Sequence, residues 1–220
     1  RTQPARIGFG LMSGICATAA RRCPVMSSTQ PSQLLPTLFE DFEDGDRLTV
    51  LHIGPALPET VEFFSRYRCK LHFLDLFDEL PLAGDEDPES AAAERLAELL
   101  QFPADTRFDI CLFWDLFNYL DRGSASRFIE LLQPHLHART RAHGFGVHNL
   151  RSPQGDELYG IRELAQLSVR HRPAPLPGYT PHNQQQLQGL LSCFSFMRSI
   201  LLADSRLELL LRANLPAQAN

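Results

Sequence analysis

Polar side chains that could do chemistry stand at the ends of several apolar runs in this chain of 220 residues. Asp75 ends one run, Asp115 and Asn118 follow the next, and His148 ends a third. The carboxyl ends of parallel strands meet at one edge of an open α/β sheet, where such folds place their sites. A histidine there can act as a general base near neutral pH. The pattern predicts a site with Asp115, Asn118 and His148 as catalytic candidates on its substrate side.

Each of these residues also has a purely structural explanation. Asp75 could be a turn or cap residue, and Asp115 with Asn118 could cap the helix that follows them. His148 could make a structural hydrogen bond and nothing more. Both kinds of explanation stay open at the level of the sequence.

The elements that must position these residues are organised around residues 47–75. An apolar run over 49–53 is followed by a turn at Gly54, a helix opened by Pro58, and a second apolar run ending at Asp75. Strand, glycine turn, helix, strand and acid form the first half of a nucleotide-binding α/β unit. This loop keeps one glycine where such loops normally carry three.

Helical and strand-like segments alternate along the rest of the chain. The expected elements are a helix capped by Ser32, a helix from Ser90, a buried strand over 110–114, a helix capped by Ser124, a short strand over 144–149, a loop or lid over 155–181, a helix opened by Thr180 and Pro181, and two terminal strands joined at 203–205. A connection that short permits only an antiparallel β-hairpin. We therefore predict one α/β domain over residues 26–220, Rossmann-like and mostly parallel, closed by a C-terminal antiparallel hairpin.

The composition of the chain limits the kinds of protein to which it can belong. The net charge of −5 gives no reason to expect a nucleic-acid partner. No apolar run reaches the ~20 residues that span a bilayer. The five cysteines include no CxxC pair and are interpreted as reduced thiols of a cytoplasmic protein. Residues 1–25 contain arginines and no acid, so we interpret them as a leader or remnant outside the domain; an organellar presequence is the alternative.

We predict that two groups of basic side chains lie at the protein surface. His135, His137 and His143 have no cysteine or carboxylate to complete a metal site, so they are expected at a solvated helix end. The basic residues 170–172 lie in the predicted loop. They are interpreted as a surface patch, with a lid that contacts an acidic substrate as the alternative.

Taken together, these elements resemble the class I S-adenosylmethionine-dependent methyltransferases over about residues 33–213. The segment VLHIGPALP (50–58) is similar to the family's first motif, an acid-x-G-x-G-x-G loop beneath the cofactor. Asp75, 21 residues after Gly54, corresponds to the acid that holds the ribose hydroxyls. FDICLFWDLFNYL (108–120) resembles the fourth strand and the segment that faces cofactor and substrate, and GFGVHN (144–149) resembles the fifth strand.

The resemblance implies a methyltransferase sheet and S-adenosylmethionine as cofactor. The implied cofactor-binding positions are His52, Gly54, Ala56, Asp75, Leu76 and Trp114. Asp115, Asn118 and His148 would face the methyl acceptor, a small molecule or a protein.

The chain departs from the family pattern in the first motif. His52 stands where the family has an acid, and Ala56 and Pro58 replace two glycines. Pro55 and Pro58 lack the N–H groups that could bind a carboxylate. The 33 positions from Asp75 to Phe108 leave room for a very short third strand or none. Two functions stay open: a methyltransferase, or a catalytically inactive relative that acts as a binding or regulatory partner. A homodimer or a protein partner is compatible with both.

Overall fold

The computed structural model describes residues 27–42, 45–82 and 88–215, and the predicted leader lies outside these ranges. The strands are β1 (Ser28–Pro31), β2 (Arg47–Ile53), β3 (Arg68–Leu74), β4 (Phe108–Trp114), β5 (Leu136–Val147), β6 (Glu157–Glu163), β7 (Gln166–His171), β8 (Phe194–Leu201) and β9 (Arg206–Ala213). The α-helices are α1 (Leu35–Phe39), α2 (Pro58–Phe64), α3 (Pro88–Leu99), α4 (Arg122–Leu132) and α5 (Gln184–Leu190), with single 3-10 turns at Leu116–Asn118 and Gln133–His135.

Six strands form the main sheet, in the order β3-β2-β4-β5-β9-β8. Strands β3, β2, β4 and β5 are parallel, whereas β9 runs antiparallel to β5 and β8 antiparallel to β9. The predicted C-terminal hairpin is thus confirmed, and it enters the sheet beside β5. This arrangement confirms the predicted Rossmann-like sheet of the methyltransferase type.

The continuous apolar run of β4 explains its central place. Its residues Ile110, Cys111, Leu112 and Phe113 are fully buried, because both faces of the strand are covered. Helices α3, α4 and α5 contribute to the core on one face. Helices α1 and α2 pack on the other.

The connection from β3 to β4 has no room for a full third strand, as predicted. Within 75–82 and 88–107 it contains α3 and no strand. In these ranges the family's third strand is therefore absent, and β3 forms the edge of the sheet.

The predicted loop or lid over 155–181 is wrong for its first half. Strands β6 and β7 form a hairpin there, and with β1 they make a second, antiparallel sheet in the order β1-β7-β6. Tyr159 and Ile161 of β6 and Leu167 and Val169 of β7 are buried in the second core, and in β7 the apolar residues alternate with polar ones. The hairpin is fastened to α2, since the Ile161 N–H donates to Thr60 Oγ1 at 3.0 Å.

The predicted capping residue is wrong for two helices, and the hydrogen bond predicted for Ser32 is present. Helix α4 is capped by Asp121, which accepts from the Ser124 N–H at 2.8 Å, and not by Ser124. Helix α5 is capped by Asn183 through a reciprocal capping box, and not by Thr180. Ser32 does accept from the Leu35 N–H, at 3.0 Å.

The three histidines expected at a solvated helix end are buried or paired instead. Strand β5 starts at Leu136, so that His143 lies inside the sheet and is fully buried. His135 is buried and hydrogen-bonds the Thr106 carbonyl at 3.1 Å. His137 contacts the Asp109 carboxylate at 3.0 Å. In the described ranges no three His, Cys, Asp or Glu residues are placed to hold a metal ion.

The described cysteines and helices add two plain findings. Cys69, Cys111 and Cys193 are free thiols. No helix in the described part of the chain has the length and apolar character needed to cross a membrane.

Candidate functional site

The turn after β2 requires its glycine. Gly54 has a φ of +118°, a conformation that side-chain-bearing residues rarely adopt. Its N–H donates to the Leu74 carbonyl at 2.8 Å, which joins the end of β2 to the end of β3. The turn therefore sets the edge of the sheet at which Asp75 emerges.

Asp75 presents a buried oxygen without a partner. Its Oδ1 has no hydrogen-bond partner among the described residues. Burial raises the pKa of Asp75 above its usual value, and the Asp78 charge raises it further. The Arg172 charge and the N–H groups of Asp78 and Phe77 act in the opposite direction. An acceptor in this condition would be satisfied by a donor on a ligand, such as a hydroxyl group.

His52 belongs to the core. It is fully buried, and its Nε2 accepts from the Trp114 indole N–H at 3.2 Å. Burial lowers the pKa of His52 to about 4, against backbone hydrogen bonds that raise it, so the ring is neutral at pH 7. Trp114 in turn stacks on Tyr159 of β6, with ring centroids 5.4 Å apart. The side chains of His52 and Trp114 are thus packed in the core.

Asp115 and Asn118 lie where β4 ends. Both are buried, and each has a side-chain oxygen without a partner in the described structure. Burial raises the pKa of Asp115 to about 7, and Glu157 raises it too, while Arg172 and Arg206 lower it. Asp115 precedes the 3-10 turn without making a side-chain cap. Since Asp121 caps α4, the capping explanation does not hold for Asp115 or Asn118.

The remaining predicted residues are dispersed. His148 is exposed after β5, and its N–H donates to the Ser205 carbonyl at 3.1 Å. Leu76 is fully buried in the core, and Ala56 is exposed. Of the predicted residues, Gly54, Asp75, Asp115 and Asn118 are the ones that the fold presents at the carboxyl ends of β2, β3 and β4.

Arg172 is the site residue whose role the sequence did not reveal. The cluster 170–172 is not a simple surface patch: Arg170 pairs with Glu59 at 2.8 Å, and the Arg172 guanidinium lies over the Phe77 ring, 4.5 Å from its centroid. Its charge lowers the pKa of both Asp75 and Asp115, so it lies near both carboxylates. It makes no ion pair with a described residue, and its Nε is buried without a partner. The alternating pattern of β6 and β7 was the signal that could have located it.

These residues fit S-adenosylmethionine at one end better than at the other. At the ribose end, the unpartnered Asp75 oxygen suits hydroxyl donors, and the Gly54 turn joins the ends of β2 and β3 beside it. At the methionine end, His52 supplies no carboxylate, and Pro55 and Pro58 supply no N–H. The Arg172 guanidinium is a donor that could serve a carboxylate in their place.

Comparison with known proteins yields likenesses of structure only. No family model matches the chain, and no curated protein matches it. The 1,6-didemethyltoxoflavin-N1-methyltransferase of Burkholderia thailandensis, solved with its substrate and S-adenosylhomocysteine, is 14% identical; the match covers 82% of this chain and 77% of that one, with a TM-score of 0.47.

Two other solved methyltransferases give similar values. The N-methyltransferase NodS of Bradyrhizobium japonicum is 14% identical, covering 81% of this chain and 92% of that one with a TM-score of 0.46. The glycopeptide N-methyltransferase MtfA, complexed with S-adenosylmethionine, is 16% identical, covering 81% and 91% with a TM-score of 0.44. These are likenesses of fold, so the function of this chain has to follow from its own side chains.

Proposed function

We propose that this protein is an S-adenosylmethionine-dependent methyltransferase. The observation that carries the proposal is the buried, unpartnered Oδ1 of Asp75, which lies beside the Gly54 turn at the end of β3. A buried acceptor without a partner costs about 1–3 kcal/mol, and ribose hydroxyl groups would remove that cost. When bound, the cofactor supplies a methyl group on a sulfonium centre.

The chain's own residues would bind and orient. Asp75 would accept hydrogen bonds from the ribose, and Arg172 would donate to the cofactor's carboxylate. Asp115 and Asn118 lie at the next strand end, on the side of the methyl acceptor. Holding two reactants in line supplies most of the catalysis that methyl transfer needs, so this positioning would be the main contribution of the protein.

A non-catalytic binding partner is the second candidate, and a specific observation favours it. His52 stands where the family has a carboxylate, and its ring is buried against Trp114. Pro55 and Pro58 also leave the loop with fewer N–H donors. In that case the Arg172 guanidinium over Phe77 would occupy the cleft, and no cofactor would enter. The two candidates differ in what Arg172 does.

Calorimetric titration with S-adenosylhomocysteine separates the candidates. The wild-type protein should bind saturably, and Asp75→Asn should weaken binding about tenfold or more, as expected for a hydrogen bond to a charged group. Asp105→Asn is the control: it removes the same charge at an exposed position before β4 and should leave the affinity nearly unchanged. Arg172→Gln should also weaken binding.

The opposite pattern would support the second candidate. If the wild-type protein produces no heat at millimolar ligand, the enzyme assignment fails. If Arg172→Gln binds the ligand while the wild-type protein does not, Arg172 closes the cleft.

A further inference from the structure

A cavity adjoins the end of β4. Its volume is about 150 Å³, and it is bounded by the 3-10 turn, residues 152–155 and the β8–β9 turn. Asp115 and Asn118 line it, together with Glu157, Asp204, Arg206 and three tyrosines. The cavity therefore lies on the side that the preceding proposal assigns to the methyl acceptor.

Asp115 and Asn118 each present to the cavity an oxygen that accepts no hydrogen bond from a described residue. Asp115 is 5% exposed and Asn118 is 4% exposed, and Oδ1 of each is buried without a partner in the described structure. Buried acceptors of this kind are rare because they forfeit a hydrogen bond to water. A ligand that completes the cavity must accordingly bring N–H or O–H groups.

The charged side chains around the cavity favour a positively charged ligand. Arg206 pairs with Glu157 at 2.7 Å and with Asp204 at 2.6 Å, whereas Asp115 has no ion pair with a described residue. Arg172 lies near enough to lower the pKa of Asp115, but burial outweighs it. An anion would face three carboxylates here. A cation would neutralise the one that lacks a partner.

The aromatic walls favour a cation as well. The Tyr159 hydroxyl donates to Glu157 at 2.6 Å, and the Tyr179 hydroxyl donates to the Ser152 carbonyl at 3.1 Å. The Tyr119 hydroxyl accepts from the Asp156 N–H at 3.2 Å. The Tyr159 ring is already covered by Trp114 and Phe145. Tyr119 and Tyr179 are therefore the rings that could contact a ligand, and aromatic rings attract organic cations.

We propose that this cavity binds a small organic ammonium ion, the protonated form of an aliphatic amine, with Asp115 accepting from its N–H groups. The claim that this amine is the methyl acceptor rests on the proposed function. The claim that the cavity binds the amine does not. Transfer of one ammonium proton to Asp115 breaks an N–H bond, forms an O–H bond and leaves the nitrogen its lone pair. That lone pair is what a methyl donor requires.

The test compares isopentylammonium with isopentanol, which has nearly the same shape and no charge. Calorimetry at pH 8, without cofactor, should show saturable binding of the ammonium about tenfold or more tighter than binding of the alcohol. Asp115→Asn should weaken ammonium binding about tenfold and leave alcohol binding nearly unchanged. Asp105→Asn, an equal charge change at an exposed position before β4, is the control and should bind like the wild type.

Three results would overturn the proposal: no saturation by the ammonium at millimolar concentration, equal affinity for the alcohol, or undiminished ammonium binding by Asp115→Asn. Since the titration contains no cofactor, its failure is distinct from failure of the proposed function. That function fails only if S-adenosylhomocysteine does not bind.

Discussion

Two buried carboxylates of the main sheet are shifted in opposite directions. Glu208 on β9 is fully buried, and its pKa falls to about 2. Asp115 at the end of β4 is almost as deeply buried, and its pKa rises to about 7. Burial alone raises the pKa of both groups, so the difference comes from their partners.

Glu208 is surrounded by donors. His143 Nε2 donates to it at 2.9 Å, the Ser32 hydroxyl donates to the same oxygen, and the N–H groups of Gln33 and Leu34 donate at 3.1 and 3.2 Å. These hydrogen bonds outweigh the burial that opposes them. Glu208 thereby fastens the segment before α1 to the sheet and has no capacity left for a ligand.

Asp115 shows the other condition. Its own backbone N–H and two arginine charges lower its pKa only partly, and the described structure offers no donor to its buried Oδ1. A fold retains such a group at a cost in stability, and function is the usual reason. The two carboxylates thus differ in their hydrogen-bond donors and not in their burial, and in the described part of the chain Asp115 is the one that keeps an oxygen free to accept from a ligand.

The largest expected effect is on the structural carboxylate. Glu208→Gln should lower the free energy of unfolding by roughly 3–5 kcal/mol at pH 7, because it removes the charge that four donors surround. Urea denaturation measures this loss. Glu94→Gln, at an exposed position of α3, is the control and should change stability by less than about 0.5 kcal/mol. A loss below about 1 kcal/mol for Glu208→Gln would contradict the structural assignment.

A smaller effect of opposite sign is expected at Asp115. Its pKa of about 7 in the folded protein exceeds the usual 3.8, so the unfolded chain loses this proton first as the pH rises. The group therefore lowers the free energy of unfolding progressively between about pH 4 and pH 7, by roughly 2–4 kcal/mol in total.

Asp115→Asn should remove that dependence and stabilise the protein at pH 8 by a similar amount, as measured by urea denaturation at several pH values. Glu208 makes no slope between about pH 6 and pH 7, because its contribution is fully present well above the usual 4.5 and is lost as the pH falls toward 2. A variant at Asp115 that is less stable than the wild type at pH 8 would mean that the carboxylate has a partner after all.

The sequence predicted the parts of the fold that depend on local pattern. The apolar run of β4 was sufficient to predict the parallel strands at the centre of the sheet, and the short turn before β9 was sufficient to predict the terminal hairpin. The hairpin of β6 and β7 was missed because its apolar residues do not form a continuous run: Gly160 separates Tyr159 from Ile161, and Ser168 separates Leu167 from Val169. Prolines just after β7 suggested a loop instead.

The candidate site was predictable where position along a strand decides it. Asp75 and Asp115 each follow an apolar run, and both emerge at the expected edge. The role of Arg172 was not predictable, since it depends on the hairpin folding back toward Phe77. Nor was the pairing of His143 with Glu208, which are 65 residues apart and meet only because β9 inserts beside β5.

The most direct test of the difference between satisfied and unsatisfied carboxylates is an NMR titration of ¹⁵N-labelled protein with S-adenosylhomocysteine. Amide shifts should change at Gly54 and at residues 56–57, 75–77 and 115–118, around the unpartnered Oδ1 atoms of the two aspartates, and stay constant at 207–210, around Glu208. Shift changes centred on β9, or no changes at millimolar ligand, would contradict the assignment of the ligand site to Asp75 and Asp115.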